Sequence, residues 1–121
     1  MDESRKTLED KCKKKLLKMR EERLNGLKNL SSALESEITG DEGDMASALE
    51  NQHTSLVQRE KILHELREVE SALSRIETGN YGMCEETEEP IETERLLALP
   101  WTRLSLAGAE IREAQKKKYA I

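Results

Sequence analysis

Apolar residues recur at three- and four-residue steps through the first part of the chain, which is the spacing of one face of an α-helix. This narrow face, with one gap at Arg23, consists of Leu8, Cys12, Leu16, Met19, Leu27, Leu30 and Leu34. A run rich in glycine and aspartate, residues 39–44, then predicts a turn that ends the helix.

A second stretch with the same periodicity runs from about Met45 to Thr78. Its apolar seam comprises Met45, Leu49, Gln52, Leu56, Leu63, Leu66, Val69, Leu73 and Ile76. At 1.5 Å per residue this helix is roughly 50 Å long. Because neither helix is apolar all round and a short turn joins them, we predict an antiparallel coiled-coil hairpin over residues 1–78, with its tip at about residues 39–46.

Residues 79–121 predict a small globular end. Gly79 is placed to end the second helix in a left-handed conformation, and an irregular acidic stretch with Pro90 follows. We predict a short helical turn at residues 95–99 and a last helix at about residues 102–118, whose final lysines suit the negative end of the helix dipole. The predicted small core is Tyr81, Ile91, Leu96, Leu97, Trp101 and Leu104. The predicted fold class is therefore all-α.

The composition agrees with long helices and excludes a large globular core. Of the 121 residues 37% are charged, 2% are aromatic and none is Phe, which is typical of coiled coil or of disorder; the regular leucine spacing favours coiled coil. The net charge of −5 is uneven, since residues 1–28 hold ten Lys and Arg against six Asp and Glu. This basic end is suited to docking on an acidic surface. Because no aromatic residue interleaves the lysines, we expect no platform on which nucleic-acid bases could stack.

The chain shows no sign of secretion or of membrane insertion. Its first apolar pair, Leu16 and Leu17, lies among lysines, unlike a signal peptide. No run approaches the roughly 20 apolar residues of a membrane span. We therefore expect a cytoplasmic protein with no membrane partner, whose two cysteines, Cys12 and Cys84, are reduced.

Four positions near the C-terminal end have the spacing of a four-cysteine zinc finger, with two, seventeen and two residues between them. They are Cys84, Thr87, Ser105 and Gly108. Structural zinc sites use four cysteine or histidine ligands. One thiol, two hydroxyls and a glycine therefore predict that these degenerate ligand positions hold no zinc.

Cys84 is open to three interpretations: a lone metal ligand, a reactive thiol or an inert remnant. A metal would need partners, and both histidines, His53 and His64, belong to the second helix. The glutamates that follow Cys84 are expected to raise the pKa of its thiol, and they lack the alternating pattern of a calcium loop. The inert interpretation is favoured.

Asp41, Asp44 and Ala46 lie at the predicted hairpin tip. Taken alone, Asp44 is most simply the N-cap of the second helix. Asp41 is then a turn residue whose negative charge interacts favourably with the positive end of the helix dipole. The same pattern of two aspartates and an alanine also characterises a functional hairpin tip in one protein family.

Together these motifs resemble the DksA/TraR family of RNA polymerase-binding regulators, in a version that lacks the zinc cysteines. The resemblance covers nearly the whole chain. Besides the tip, its specific motifs are Arg67-Glu68-Val69-Glu70, Gly79-Asn80-Tyr81-Gly82-Met83-Cys84-Glu85, Pro90-Ile91 and Arg95-Leu96.

This resemblance implies a non-enzymatic, monomeric regulator whose hairpin enters the secondary channel of bacterial RNA polymerase, on its largest subunit. The acidic tip would approach the active centre and alter the lifetime of promoter complexes, often with the alarmone ppGpp of the stringent response. Cysteine-poor relatives are thought to keep working when zinc is scarce. Ungapped alignment places Glu68, Leu99 and Ala109 where some relatives carry basic residues beside ppGpp, which leaves an alarmone response open.

Two other functions remain open from the sequence. Transcript-cleavage factors also use an acidic hairpin tip in the polymerase channel, but they carry a larger β-rich second domain for which this chain has no room. A helical adaptor with no polymerase role is the other alternative, and binding to core RNA polymerase would discriminate it from a regulator.

Overall fold

The structure is a computed structural model, and it describes residues 2–39 and 45–119 of the chain. Within these ranges it contains four helices: α1 (Asp2–Thr39), α2 (Met45–Thr78), α3 (Thr93–Ala98) and α4 (Leu106–Tyr119). The β-structure found in these ranges is one isolated antiparallel bridge, between Met83 and Pro90. The predicted all-α class is confirmed.

The chain divides into two compact units, one of residues 18–67 and one of residues 1–17 with 68–121. The sequence predicted a boundary between residues 78 and 79 instead. The unit of residues 1–17 and 68–121 includes the first part of α1 and the last part of α2, because these parts supply much of its core. Its buried apolar side chains are Cys12, Leu16, Val69, Ala72, Tyr81, Cys84, Ile91 and Leu96.

In the unit of residues 18–67, α1 and α2 pack side by side in opposite directions. Arg23 on α1 donates from Nε to Glu65 Oε2 on α2. One turn further along α1, a Cβ added at Gly26 would meet Ile62 Cδ1 at 3.4 Å. Partner numbers fall on α2 as they rise on α1, which is the antiparallel arrangement that the hairpin prediction requires.

The apolar seam of α2 is less well covered near its start than the spacing suggested. Leu49 and Leu56 are 65% and 55% exposed, whereas Leu63 and Leu66 are half-buried. A two-helix seam covers each apolar side chain from one side only, so full burial needs further elements. Such elements are present in the other unit, where Leu16 and Val69 are buried.

The end of α2 is a Schellman motif, as the position of Gly79 predicted. Gly79 has φ of +80°, and its N–H donates to Ile76 O at 3.4 Å while Asn80 N–H donates to Arg75 O at 2.9 Å. These two bonds satisfy carbonyls that the helix end would otherwise leave without partners. The chain then turns away from the helix toward Tyr81, which is buried.

Two short-range predictions need correction. The helical turn predicted at residues 95–99 is α3, residues 93–98, and the last helix begins at Leu106 instead of about Thr102. Arg95 Nε donates to Leu104 O at 2.8 Å, which holds this segment in a non-helical conformation. No helix in the described part of the chain is both long and apolar enough to cross a bilayer.

Candidate functional site

The structure brings the four degenerate ligand positions together. Thr87 N–H donates to Cys84 Sγ at 3.5 Å, and the hydroxyls of Thr87 and Ser105 also form hydrogen bonds with this sulfur. Gly108 N–H donates to Ser105 Oγ at 3.0 Å. Gly108 itself packs directly against Cys84 Sγ. The four positions therefore lie next to one another, with hydrogen bonds between them.

Backbone hydrogen bonds close the loop that carries Cys84. Cys84 N–H donates to Glu89 O at 2.8 Å, and Glu88 N–H donates back to Cys84 O at 3.0 Å. Outside this pair, Ile91 N–H donates to Gly82 O at 2.8 Å. Gly82 has φ of +87°, a conformation that favours glycine. The loop thus keeps a finger-like shape through its own main chain.

Ser105 also begins α4. Its Oγ accepts from the backbone N–H of Gly108, the third residue of the helix, which is the standard N-cap interaction. The first N–H of the helix, that of Leu106, donates to Glu92 Oε2 at 3.0 Å. Ser105 is buried. A serine at this zinc-ligand position therefore acts as a cap and as a hydrogen-bond partner of Cys84.

The side chains present do not fit zinc. The site offers one thiol and two hydroxyls, and position 108 has no side chain, whereas zinc prefers thiolate and imidazole ligands. Among the described residues there is no group of three His, Cys, Asp or Glu that could hold a metal ion. The chemistry of the donor set thus differs from that of a four-cysteine finger.

Burial of Cys84 raises the pKa of its thiol, but hydrogen bonds from the side chains and backbone of Ser105 and Thr87 outweigh this and lower the pKa to about 6. The expectation that the following glutamates raise this pKa is therefore wrong. Glu85 and Glu86 are engaged elsewhere, with Arg112 at 3.4 and 3.1 Å. Cys84 is 2% exposed, so its side chain is shielded from solvent while these hydrogen bonds favour the thiolate form.

The lowered pKa of Cys84 predicts that this thiol stabilises the fold more as the pH rises. The stabilisation is complete above the unfolded-state pKa of about 8.5 and is lost as the pH falls through about 6. The stability difference between the native chain and Cys84→Ala should grow by at most about 1.4 kcal/mol per pH unit between these values. Urea unfolding of both proteins at about pH 5.5 and about pH 8 measures it. Equal differences at the two pH values would contradict a buried thiolate.

Three arginines hold the segment before α4; Arg95 belongs to a motif already named, whereas the sequence did not single out Arg75 and Arg103. Arg75 Nη2 donates to Trp101 O at 3.1 Å and to Thr102 O at 3.4 Å. Arg103 pairs with Glu68 at 3.3 Å and with Glu85 at 3.6 Å. Burial and the nearby Arg103 charge lower the pKa of Arg75. The third is Arg95, bonded to Leu104 O. For Arg75, the signal available in the sequence was its position as a basic residue in the last turn of α2.

Of the predicted tip residues, Asp41 and Asp44 lie outside the described residues. Ala46 is exposed in the first turn of α2. Of the positions aligned with basic residues in some relatives, Glu68 pairs with Arg103, and Leu99 and Ala109 are partly exposed.

Known proteins resemble this chain in sequence and in fold. Residues 79–114 match the family described as the prokaryotic dksA/traR C4-type zinc finger. Over 107 residues the chain is 36% identical to the RNA polymerase-binding transcription factor DksA of Caulobacter vibrioides, a match that covers 87% of this chain and 75% of that protein. Over 111 residues it is 32% identical to general stress protein 16O of Bacillus subtilis, a match that covers 82% of this chain and 65% of that protein.

A solved structure has the same fold over nearly the whole chain. Transcription factor DksA2 from Pseudomonas aeruginosa aligns with a TM-score of 0.85 at 30% sequence identity. The alignment covers 92% of this chain and 87% of that one. The two proteins therefore share the same fold class.

Proposed function

Because the chain belongs to the DksA/TraR family, we propose that it is a transcription regulator that acts by binding bacterial RNA polymerase. The observation that carries this function is the 36% identity to an RNA polymerase-binding transcription factor over most of both chains. The antiparallel contacts between α1 and α2 at Arg23 and Gly26 support it, since they form the hairpin on which such binding depends.

The finer proposal concerns how it binds. The hairpin enters the secondary channel, on the largest subunit, and its tip residues Asp41, Asp44 and Ala46 act near the active centre on the stability of promoter complexes. The protein works as a cytoplasmic monomer, catalyses no reaction and makes no direct contact with DNA. The pairing of Glu68 with Arg103, where some relatives have a basic residue, supports a regulator that acts without ppGpp.

Retention on purified core RNA polymerase tests the proposal. We expect the full-length chain to be retained at about one molecule per polymerase, because a single channel accepts a single hairpin. A transcript-cleavage factor that occupies the same channel should displace it. Absence of retention would favour the helical adaptor, and retention without displacement would place the binding surface outside the channel.

We also propose that the regulator works without zinc. The support is the donor set of Cys84, Thr87, Ser105 and Gly108, in which hydrogen bonds take the place of metal–ligand bonds. Zinc-dependent folds lose structure when the metal is removed.

Purified protein should therefore contain far less than one zinc per chain, and its helical circular dichroism should be unchanged by a strong chelator. Elemental analysis and a chelator titration measure the two quantities. A four-cysteine family member treated in parallel should release zinc and serves as the positive control. One zinc per chain, or loss of helicity on chelation, would refute this part of the proposal.

A further inference from the structure

A side chain already fills the space that a fourth metal ligand would need in this site. A Cβ atom added at Gly108 would lie closer to Cys84 Sγ than the radii of carbon and sulfur permit. It would also meet Glu86 Cβ at 3.3 Å and Ser105 Oγ at 3.4 Å. The loop that carries Cys84 therefore packs against the first turn of α4 more closely than any residue with a side chain at position 108 permits.

A four-thiolate zinc site has a different geometry. Each sulfur lies about 2.3 Å from the metal in a tetrahedron, so the sulfurs lie about 3.8 Å from one another. A cysteine at position 108 would need to place its Cβ in the volume that Cys84 Sγ occupies here. The packing of this site and a four-thiolate site therefore exclude each other.

We infer that Gly108 selects the metal-free packing, because its missing side chain lets Cys84 Sγ occupy the space of the fourth ligand. The site then excludes a metal by shape as well as by its lack of donors. This inference rests on the zinc-free part of the proposed function and is independent of polymerase binding. The alternative is that position 108 has only lost a metal ligand and has no role in packing. In that case any small side chain would be tolerated there.

The substitution Gly108→Ala tests the inference by the sign of its effect. Alanine favours a helix over glycine, so without a clash this change would stabilise α4. With Cys84 present, we expect the midpoint of thermal unfolding to fall by about 5 °C or more. In the Cys84→Ala background the same change should leave the midpoint unchanged or raise it. Ala107→Gly, at the exposed neighbouring position, measures the helix preference alone.

Restored cysteines give a second, independent measurement. The variant Thr87→Cys/Ser105→Cys keeps Gly108 and is the reference, because its midpoint without metal already includes the loss of the Ser105 cap. Adding Gly108→Cys should lower that midpoint without metal, and one bound zinc per chain should then raise it again. Zinc content and thermal unfolding, each with and without added zinc, provide the readouts.

Two results for Gly108→Ala would overturn the inference. In the first, the substitution leaves the thermal midpoint unchanged or raises it in the chain that keeps Cys84. In the second, it lowers the midpoint equally in the chain with Cys84 and in the Cys84→Ala chain. A third result would also overturn it: without metal, the Thr87→Cys/Ser105→Cys variant has the same thermal midpoint with Gly108→Cys added as with Gly108 retained. Neither result depends on whether the native chain binds RNA polymerase, so each is distinct from a failure of the proposed function.

Discussion

Replacing Leu16 with aspartate should unfold the compact unit formed by residues 1–17 and 68–121. Leu16 is fully buried in the core of this unit. The substitution removes a large apolar side chain and introduces a carboxylate among buried side chains that, in the described ranges, carry no positive charge. Together these effects should lower the free energy of unfolding by on the order of 5 kcal/mol. Loss of near-ultraviolet circular dichroism from Trp101 and the tyrosines, and a large fall in the urea midpoint, would measure the effect.

Leu17→Asp is the matched control for this substitution. Leu17 is the next residue of the same helix and is 37% exposed, so its carboxylate can stay in water. We expect a change within about 1 kcal/mol, in the range of ordinary surface substitutions. Similar losses at both positions would show that the buried face of α1 is assigned to the wrong residues, because the two changes differ only in where the helix points them.

The two long helices are predictable from the sequence because their signals are local and repeated. The apolar steps fix the periodicity, and the glycine-rich run gives the end of α1 at Thr39 and the start of α2 at Met45. At the other end of α2, Gly79 takes the left-handed conformation that its position predicts. None of these signals requires knowledge of a distant contact.

The start of α4 is not predictable in this way. Its apolar pattern includes Leu104 and predicted a start at about Thr102, but the segment before Leu106 is held by side chains from other elements. Arg75 lies on α2 and binds the carbonyls of Trp101 and Thr102. A basic residue in a last helical turn does not reveal which distant carbonyls it will bind. Tertiary contacts therefore override the local helical preference here.

The environment of Cys84 also combines features that the sequence predicts with features set by tertiary contacts. Its convergence with Thr87, Ser105 and Gly108 could be predicted from the zinc-finger spacing. The direction of its pKa shift could not, because the nearby acidic residues suggested a rise, whereas Ser105, distant in sequence, contributes hydrogen bonds that lower it. Sequence neighbours give the local charge, and the fold decides which groups reach the sulfur.

Replacing Asp44 with asparagine should abolish transcriptional regulation while the protein still binds RNA polymerase. This expectation rests on the proposed function, in which the tip carboxylate acts near the active centre through its charge. Asparagine keeps the shape of aspartate but not the charge. It also caps helices about as well as aspartate does, so a capping role for Asp44 at the start of α2 would be preserved.

The lifetime of an unstable promoter complex, measured with saturating protein, should return to the value for polymerase alone in the Asp44→Asn variant. Asp41→Asn should have the same direction of effect. Glu60→Gln is the control: it removes one exposed carboxylate from α2 away from the tip and should leave regulation intact. Because polymerase binding is measured separately, a variant that fails to bind is distinguished from one that binds without acting. An Asp44→Asn protein that binds and still shortens the complex lifetime normally would show that the tip charge is not the basis of regulation.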